Sequence, residues 1–99
     1  MITKNDILTS KKLRKICKSE NIKKLALFGS YLNDEQSEES DIDFIVEISG
    51  KRSLFKIIRI SQEISDLFGK KVDLLTEDSI SKYFKDDVID NMEIVYEEE

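Results

Sequence analysis

Lys23-Lys24-Leu25-Ala26-Leu27-Phe28-Gly29-Ser30 and, after the ten residues Tyr31 to Ser40, Asp41-Ile42-Asp43-Phe44-Ile45-Val46-Glu47-Ile48 decide how the rest of the chain is read. The first is a short apolar run closed by a glycine, which predicts a strand over 23–28 ending in a turn. The second is rich in β-branched and aromatic residues, which predicts a strand over 42–48. Between them the chain is polar and acidic. A loop of that length in so small a chain points to function.

Outward from this pair the period changes. Leu13, Ile16 and Cys17 lie three and four apart among Lys and Arg, as on an amphipathic helix capped by Thr9 or Ser10. Beyond Gly50, Ser53 is a candidate cap for a long helix through Leu67. Leu54, Ile57, Ile58, Ile64, Leu67 and Phe68 form its expected core face, and Gly69 its stop. Lys71 to Thr76 reads as a third strand. Ser79 to Asp90 reads as a last helix with Ile80, Tyr83, Phe84, Val88 and Ile89 inward, and Glu93 to Tyr96 as a short final strand before a solvated Glu97-Glu98-Glu99. The expected architecture is α+β, a layered arrangement in which helices cover a small mixed β-sheet, with residues 1–99 as one domain.

Composition limits the chemistry. The chain has 99 residues with 21 Asp plus Glu, 16 Lys plus Arg, one Cys and no His. Without His there is no Ser-His-Asp or Cys-His catalysis and no His-ligated zinc, and one Cys excludes an internal disulfide. Cys17 reads as a small buried apolar group. A net charge of −5 argues against direct nucleic-acid binding, because phosphate backbones select a basic face. No apolar run spans a bilayer, and Met1 to Ser10 lacks the core of a signal peptide, so a cytoplasmic location is expected.

Three acids stand at the edge of, or inside, otherwise apolar strands: Asp41, Asp43 and Asp73. Side chains two apart in a strand share a face, so Asp41 and Asp43 point the same way. Asp73 joins them if its strand neighbours theirs, and three converging carboxylates suit one or two hard cations such as Mg²⁺. Gly29 lets backbone approach a ligand closely, and Ser30 offers a hydroxyl and an N–H to a phosphate oxygen. Taken singly these features are ordinary: Asp-x-Asp is common in so acidic a chain, Gly-Ser is usual turn chemistry, and a lone strand acid often guards an edge. Their joint spacing is not ordinary.

Leu27-Phe28-Gly29-Ser30 with Ser40-Asp41-Ile42-Asp43-Phe44-Ile45-Val46, and Gly69-Lys70-Lys71-Val72-Asp73-Leu74-Leu75-Thr76, resemble the signature of the minimal nucleotidyltransferases of the DNA polymerase β-like superfamily. The resemblance runs from about Ile22 to Tyr96. It implies a polymerase β-like core in which Gly29 and Ser30 hold the triphosphate of ATP. It further implies that Asp41 and Asp43 bind Mg²⁺, while Asp73 completes the site and helps activate the attacking hydroxyl. Family members usually carry an Arg directly after Gly-Ser and a Gly soon after. Here Tyr31 follows Ser30, and the loop to Ser40 has neither a basic residue nor a glycine.

The resemblance also implies a role and a partner. Small members act as the antitoxin of a toxin–antitoxin pair, transferring AMP to a tyrosine of a helical HEPN ribonuclease toxin and inactivating it, within a hetero-oligomer. HEPN ribonucleases use an Arg and His motif, so a chain without His leaves the nuclease to the partner. An antitoxin that neutralises by binding alone is the alternative reading, and transfer to a small molecule a third. Tyr31, Tyr83 and Tyr96 are candidate self-modification sites, with Tyr83 and Tyr96 read as packing residues. Lys51, Arg52 and Arg59 read as a solvated face that can reach phosphates or a partner.

Overall fold

Two helices precede the sheet, and each begins at a hydroxyl cap. In the computed structural model, which describes residues 2–33, 35–37, 39–50 and 53–98, α1 is Lys4–Leu8. Thr3 accepts from the N–H of Asp6 at 3.3 Å, and the Asp6 carboxylate accepts from the N–H of Thr3 at 2.9 Å. This reciprocal cap holds a helix too short to persist by propensity. Helix α2, Lys11–Ser19, starts where Ser10 accepts from the Leu13 N–H at 3.1 Å, and it buries Leu13 and Cys17. Burial pushes the Cys17 thiol up to about 12, so it packs as an apolar group.

The strands are β1 (Ile22–Phe28), β2 (Ile42–Ile48), β3 (Val72–Leu75) and β4 (Glu93–Glu97). They form one sheet in the order β3-β2-β1-β4. Strand β1 pairs antiparallel with both β2 and β4, whereas β2 and β3 are parallel, so the sheet is mixed as expected. The parallel pair requires a crossover, and α3 (Leu54–Phe68) supplies it. Gly69, at φ 66°, ends that helix in the left-handed region, with its N–H donating to the Ser65 carbonyl at 2.8 Å.

Leu25 and Leu27 of β1 and Ile42, Phe44 and Val46 of β2 join Ile7, Leu13, Cys17, Ile60 and Ile64 of the helices in one core. The period of two then places Asp43 and Ile45 on the other face of the sheet. Register carries that face across to Phe28 and Ala26 on β1 and to Asp73 and Leu75 on β3. The apolar layer beneath α1 to α3 and the acidic face therefore belong to opposite sides of the same strands.

Several packing expectations are corrected. Leu54 and Ile58 do not line the core: Ile58 is 55% exposed, and Leu54 and Phe55 more so. Each residue turns a helix by about 100°, and the inward stripe through Ile57, Ile60, Ile64 and Phe68 carries Ile58 round to the solvent side. The last helix, α4, is Lys82–Asn91, and a separate 3₁₀ turn covers Glu77–Ser79. Tyr83 is 91% exposed and Phe84 is exposed too, so neither packs inward. Tyr31 is fully buried, which removes it as a modification target. Arg59 is held by both oxygens of Glu20, at 2.8 and 3.2 Å, rather than turned toward a phosphate site. Lys51, Arg52 and Glu99, as well as Asp34 and Glu38 of the acidic loop, lie outside the described residues.

These positions separate core from surface by measurement. Ile60→Ala or Ile64→Ala is expected to cost about 2–5 kcal/mol in urea unfolding, whereas Leu54→Ala stays within about 0.5 kcal/mol. Equal losses at the two kinds of site would contradict the packing described.

Candidate active site

Parallel pairing of β2 with β3 sets Ile42 beside Val72, Asp43 beside Asp73 and Phe44 beside Leu74. The apolar neighbours on either side fix this register, because a slip of one residue would turn both strands inside out. Asp43 and Asp73 thus face each other on adjacent strands, as the spacing predicted. Across β2 on the other side, Asp43 is opposite Phe28, the last residue of β1.

Gly29 follows at φ +79°, and a Cβ there would fall 2.5 Å from Oδ2 of Asp43. Both the backbone angle and the missing side chain are therefore required. The chain then bends in a hydrogen-bonded turn rather than a helix: the Leu32 N–H donates to the Gly29 carbonyl at 3.1 Å, and the Glu35 N–H to the Ser30 carbonyl at 2.9 Å. Among the described residues, the N–H groups of Ser30 and Tyr31 meet no acceptor. Successive free N–H groups at a tight turn suit an anion.

Asp41 stands one residue before β2, and its carboxylate lies 3.8 Å from Nζ of Lys71. Lys71 is largely exposed, so this is a weak, easily exchanged surface pair. Among the described residues no three carboxylates stand gathered to hold an ion. Of the three expected, the fold brings Asp43 and Asp73 together and leaves Asp41 at their edge. The donor set is all carboxylate oxygen, which fits a hard divalent cation.

Burial, then the charges of Asp73 and Asp41, and then a hydrogen bond with Asp73 push the Asp43 carboxyl from its ordinary 3.8 up to about 6. A proton between two carboxylates and a cation between them answer the same repulsion. Position 31 adds no positive charge: Tyr31 is buried with its hydroxyl oxygen lacking a protein partner. Sequence reasoning also missed that α4 comes beside the turn, where Asp87, Val88 and Asn91 share a cavity lining with Gly29. The signal available was weak, since Asp87, Val88 and Asn91 merely share one side of a helix.

The raised Asp43 value has a sign. The folded state holds this proton more tightly than the unfolded chain, so stability falls as pH rises from 3.8 through about 6 and levels off above. With divalent cations chelated, Asp43→Asn is therefore expected to raise stability at pH 7.5 by about 1 kcal/mol, an amount reduced for the partial solvent exposure of the carboxyl. Near pH 4 the gain should vanish. Urea unfolding at the two pH values checks this, and a loss at pH 7.5 would contradict it.

The chain is similar to known proteins in both sequence and fold. The sequence profile described as the nucleotidyltransferase domain matches residues 10–95. A Methanocaldococcus jannaschii chain named as a protein adenylyltransferase is 38% identical over 79 residues, spanning 80% of this chain and 85% of its own. Protein adenylyltransferase MntA of Thermococcus cleftensis is 31% identical over 90 residues, 91% of this chain and 88% of its own. Among solved structures, one described as a minimal nucleotidyltransferase superposes with a TM-score of 0.78 at 21% identity, covering 92% of this chain and 94% of that one. A chain from the complex of tri-AMPylated Shewanella oneidensis HEPN toxin with MNT antitoxin superposes with a TM-score of 0.69 at 18% identity, covering 97% and 74%. These structures share its fold. The chain belongs to the nucleotidyltransferase domain family.

Proposed function

We propose that this chain is an antitoxin that transfers AMP from ATP to a tyrosine of a partner HEPN ribonuclease toxin and so inactivates it. The observation that carries the reading is the placement of Asp43 opposite Asp73 with Gly29 against the Asp43 carboxylate. Relatives named as protein adenylyltransferases and a neighbour solved with an AMPylated toxin support it. The acceptor belongs to another protein in this reading, and Tyr31, being buried, is not an acceptor within the chain.

Gly29 and Ser30 hold the triphosphate through backbone N–H groups and the Ser30 hydroxyl. Asp43, Asp73 and Asp41, the last after release from Lys71, hold Mg²⁺, which when bound neutralises phosphate charge and polarises the reacting phosphorus. The toxin's phenolic oxygen attacks the α-phosphorus, and the bond from that phosphorus to the bridging oxygen breaks. Pyrophosphate leaves and AMP stays on the tyrosine. Asp73 takes the phenolic proton, since it stands on the sheet edge away from the Gly29 turn.

A second reading, neutralisation by binding alone, draws on Tyr31: the position directly after Gly-Ser carries a buried aromatic and no cation for a phosphate. Label transfer separates the two. With ATP labelled at the α-phosphate and the toxin as acceptor, Asp43→Asn and Asp41→Asn should each lower labelling at least about 100-fold, and chelation of divalent cations should abolish it. Undiminished labelling by the double variant would overturn the catalytic reading. Full neutralisation of the toxin by that variant without labelling would favour binding alone.

A further inference from the structure

Helix α2 carries charge that works against its own stability. It holds Lys11, Lys12, Arg14, Lys15 and Lys18 and no acid, in a chain where 21 Asp plus Glu outnumber 16 Lys plus Arg. Lys11 and Lys12 sit in the first turn, where the helix dipole favours acids. Lys11 with Lys15, and Arg14 with Lys18, are like charges one turn apart, and each pair is mildly destabilising. These cations are all exposed, and among the described residues none of them makes an ion pair. The later helices differ: α3 sets Lys56 and Arg59 among Glu63 and Asp66, and α4 sets Lys82 and Lys85 among Asp86, Asp87 and Asp90.

Lys11, Arg14, Lys15 and Lys18 recur three and four apart, so they form one stripe along a single face. Leu13 and Cys17, both fully buried, hold the opposite face in the core. From Lys11 to Lys18 the stripe runs about 10 Å along the helix. Strand β4 brings an aromatic ring beside it. Leu25 is opposite Tyr96 and Ala26 opposite Ile94, a bulge that passes over Val95. Leu25 packs beneath the helices, so the bulge turns Tyr96 to their side as well. There Tyr96 and Glu97 share a recess of about 340 Å³ with Arg14 and Lys18.

We infer that this face binds single-stranded RNA, with phosphates along the stripe of Lys11, Arg14, Lys15 and Lys18 and an unpaired base against the Tyr96 ring. A row of unpaired cations suits a row of phosphates, and release of the counterions drives association. A half-buried ring between cations suits a base, because stacking accepts any base while the cations hold the flanking phosphates. RNA loops and ends offer such unstacked bases, whereas a duplex keeps its bases inside. An acidic peptide would meet the stripe but leave Tyr96 without a flat partner. The net charge of −5 is an average over the chain, and repulsion from distant acids is screened beyond about 8 Å at physiological salt. Asp43 and Asp73 lie on the other face of the sheet, so RNA held here leaves the carboxylate site open.

Fluorescence anisotropy of the full chain with a labelled oligouridylate of about 12 nucleotides tests this. Log affinity should fall against log salt with a slope of roughly −2 to −3, at about 0.7 for each of three or four phosphate contacts. Lys11→Gln with Lys15→Gln should weaken binding at least about tenfold at about 50 mM salt and flatten the slope by about 1.4. Because this pair of changes relieves like-charge repulsion, urea unfolding should show the variant no less stable than the wild type. Tyr96→Leu should weaken binding at least about fivefold with the slope unchanged, while Tyr96→Phe binds as the wild type does. Three results would each overturn the inference: no binding of oligouridylate by the wild type at about 50 mM salt, undiminished binding by the lysine variant or by Tyr96→Leu, or binding of duplex DNA or polyglutamate of equal length as tightly as the RNA.

Discussion

Two carboxylates held side by side across a parallel strand pair are the constraint around which this molecule is arranged. Asp43 and Asp73 are register partners, and burial first, with the repulsion between the two acids after it, pushes the Asp43 carboxyl up to about 6. The strands do not slip to relieve it because Ile42, Phe44 and Val72 sit on the alternate positions, in the core beneath the helices. Moving the acids apart would expose those side chains, each worth about 1.5–3 kcal/mol when buried. The apolar face thus fixes the acidic one. Gly29 completes the constraint, since any side chain at that position would strike the Asp43 carboxylate.

Such an arrangement calls for a positive charge from outside the chain. Lys71 pairs with Asp41 at the edge of the site. The position after Gly-Ser is occupied by Tyr31, buried in the core, and supplies no cation. In the proposed reading the divalent cation therefore carries most of the neutralisation of the triphosphate. In that same reading the missing histidine leaves nuclease chemistry to the proposed partner.

Much of this was legible in the residues. The strand pair, the helix between Ser53 and Gly69 and the third strand around Asp73 followed from period and punctuation, because few Gly residues and no Pro left few places for elements to end; that the third strand lies beside the second, which pairs Asp73 with Asp43, did not. Helix α1 went unread: five residues carry too little periodicity, and its signal was only the Thr3-to-Asp6 spacing of a capping box. The core faces of the later helices were read too generously. Leu54, Ile58, Tyr83 and Phe84 are apolar at helical spacing yet exposed, because one sheet face offers a narrow stripe and a sequence with several apolar flanks does not say which one docks. Tyr31 erred the other way, since a polar loop does not announce that its first residue turns inward. Of the three acids, the sheet sets Asp43 beside Asp73, and Asp41 stands one residue before β2.

The central claim is that the Asp43–Asp73 pair and the Gly29 turn form one cation site. Titration with Mn²⁺, followed by paramagnetic broadening of backbone amide resonances, tests it most directly. The account predicts that Gly29, Ser30, Asp43 and Asp73 broaden first and together, ahead of the acids at 35 and 39 and those of the C-terminal strand. Broadening that begins in the acidic loop or along β4, with the Asp43–Asp73 pair unaffected, would contradict it.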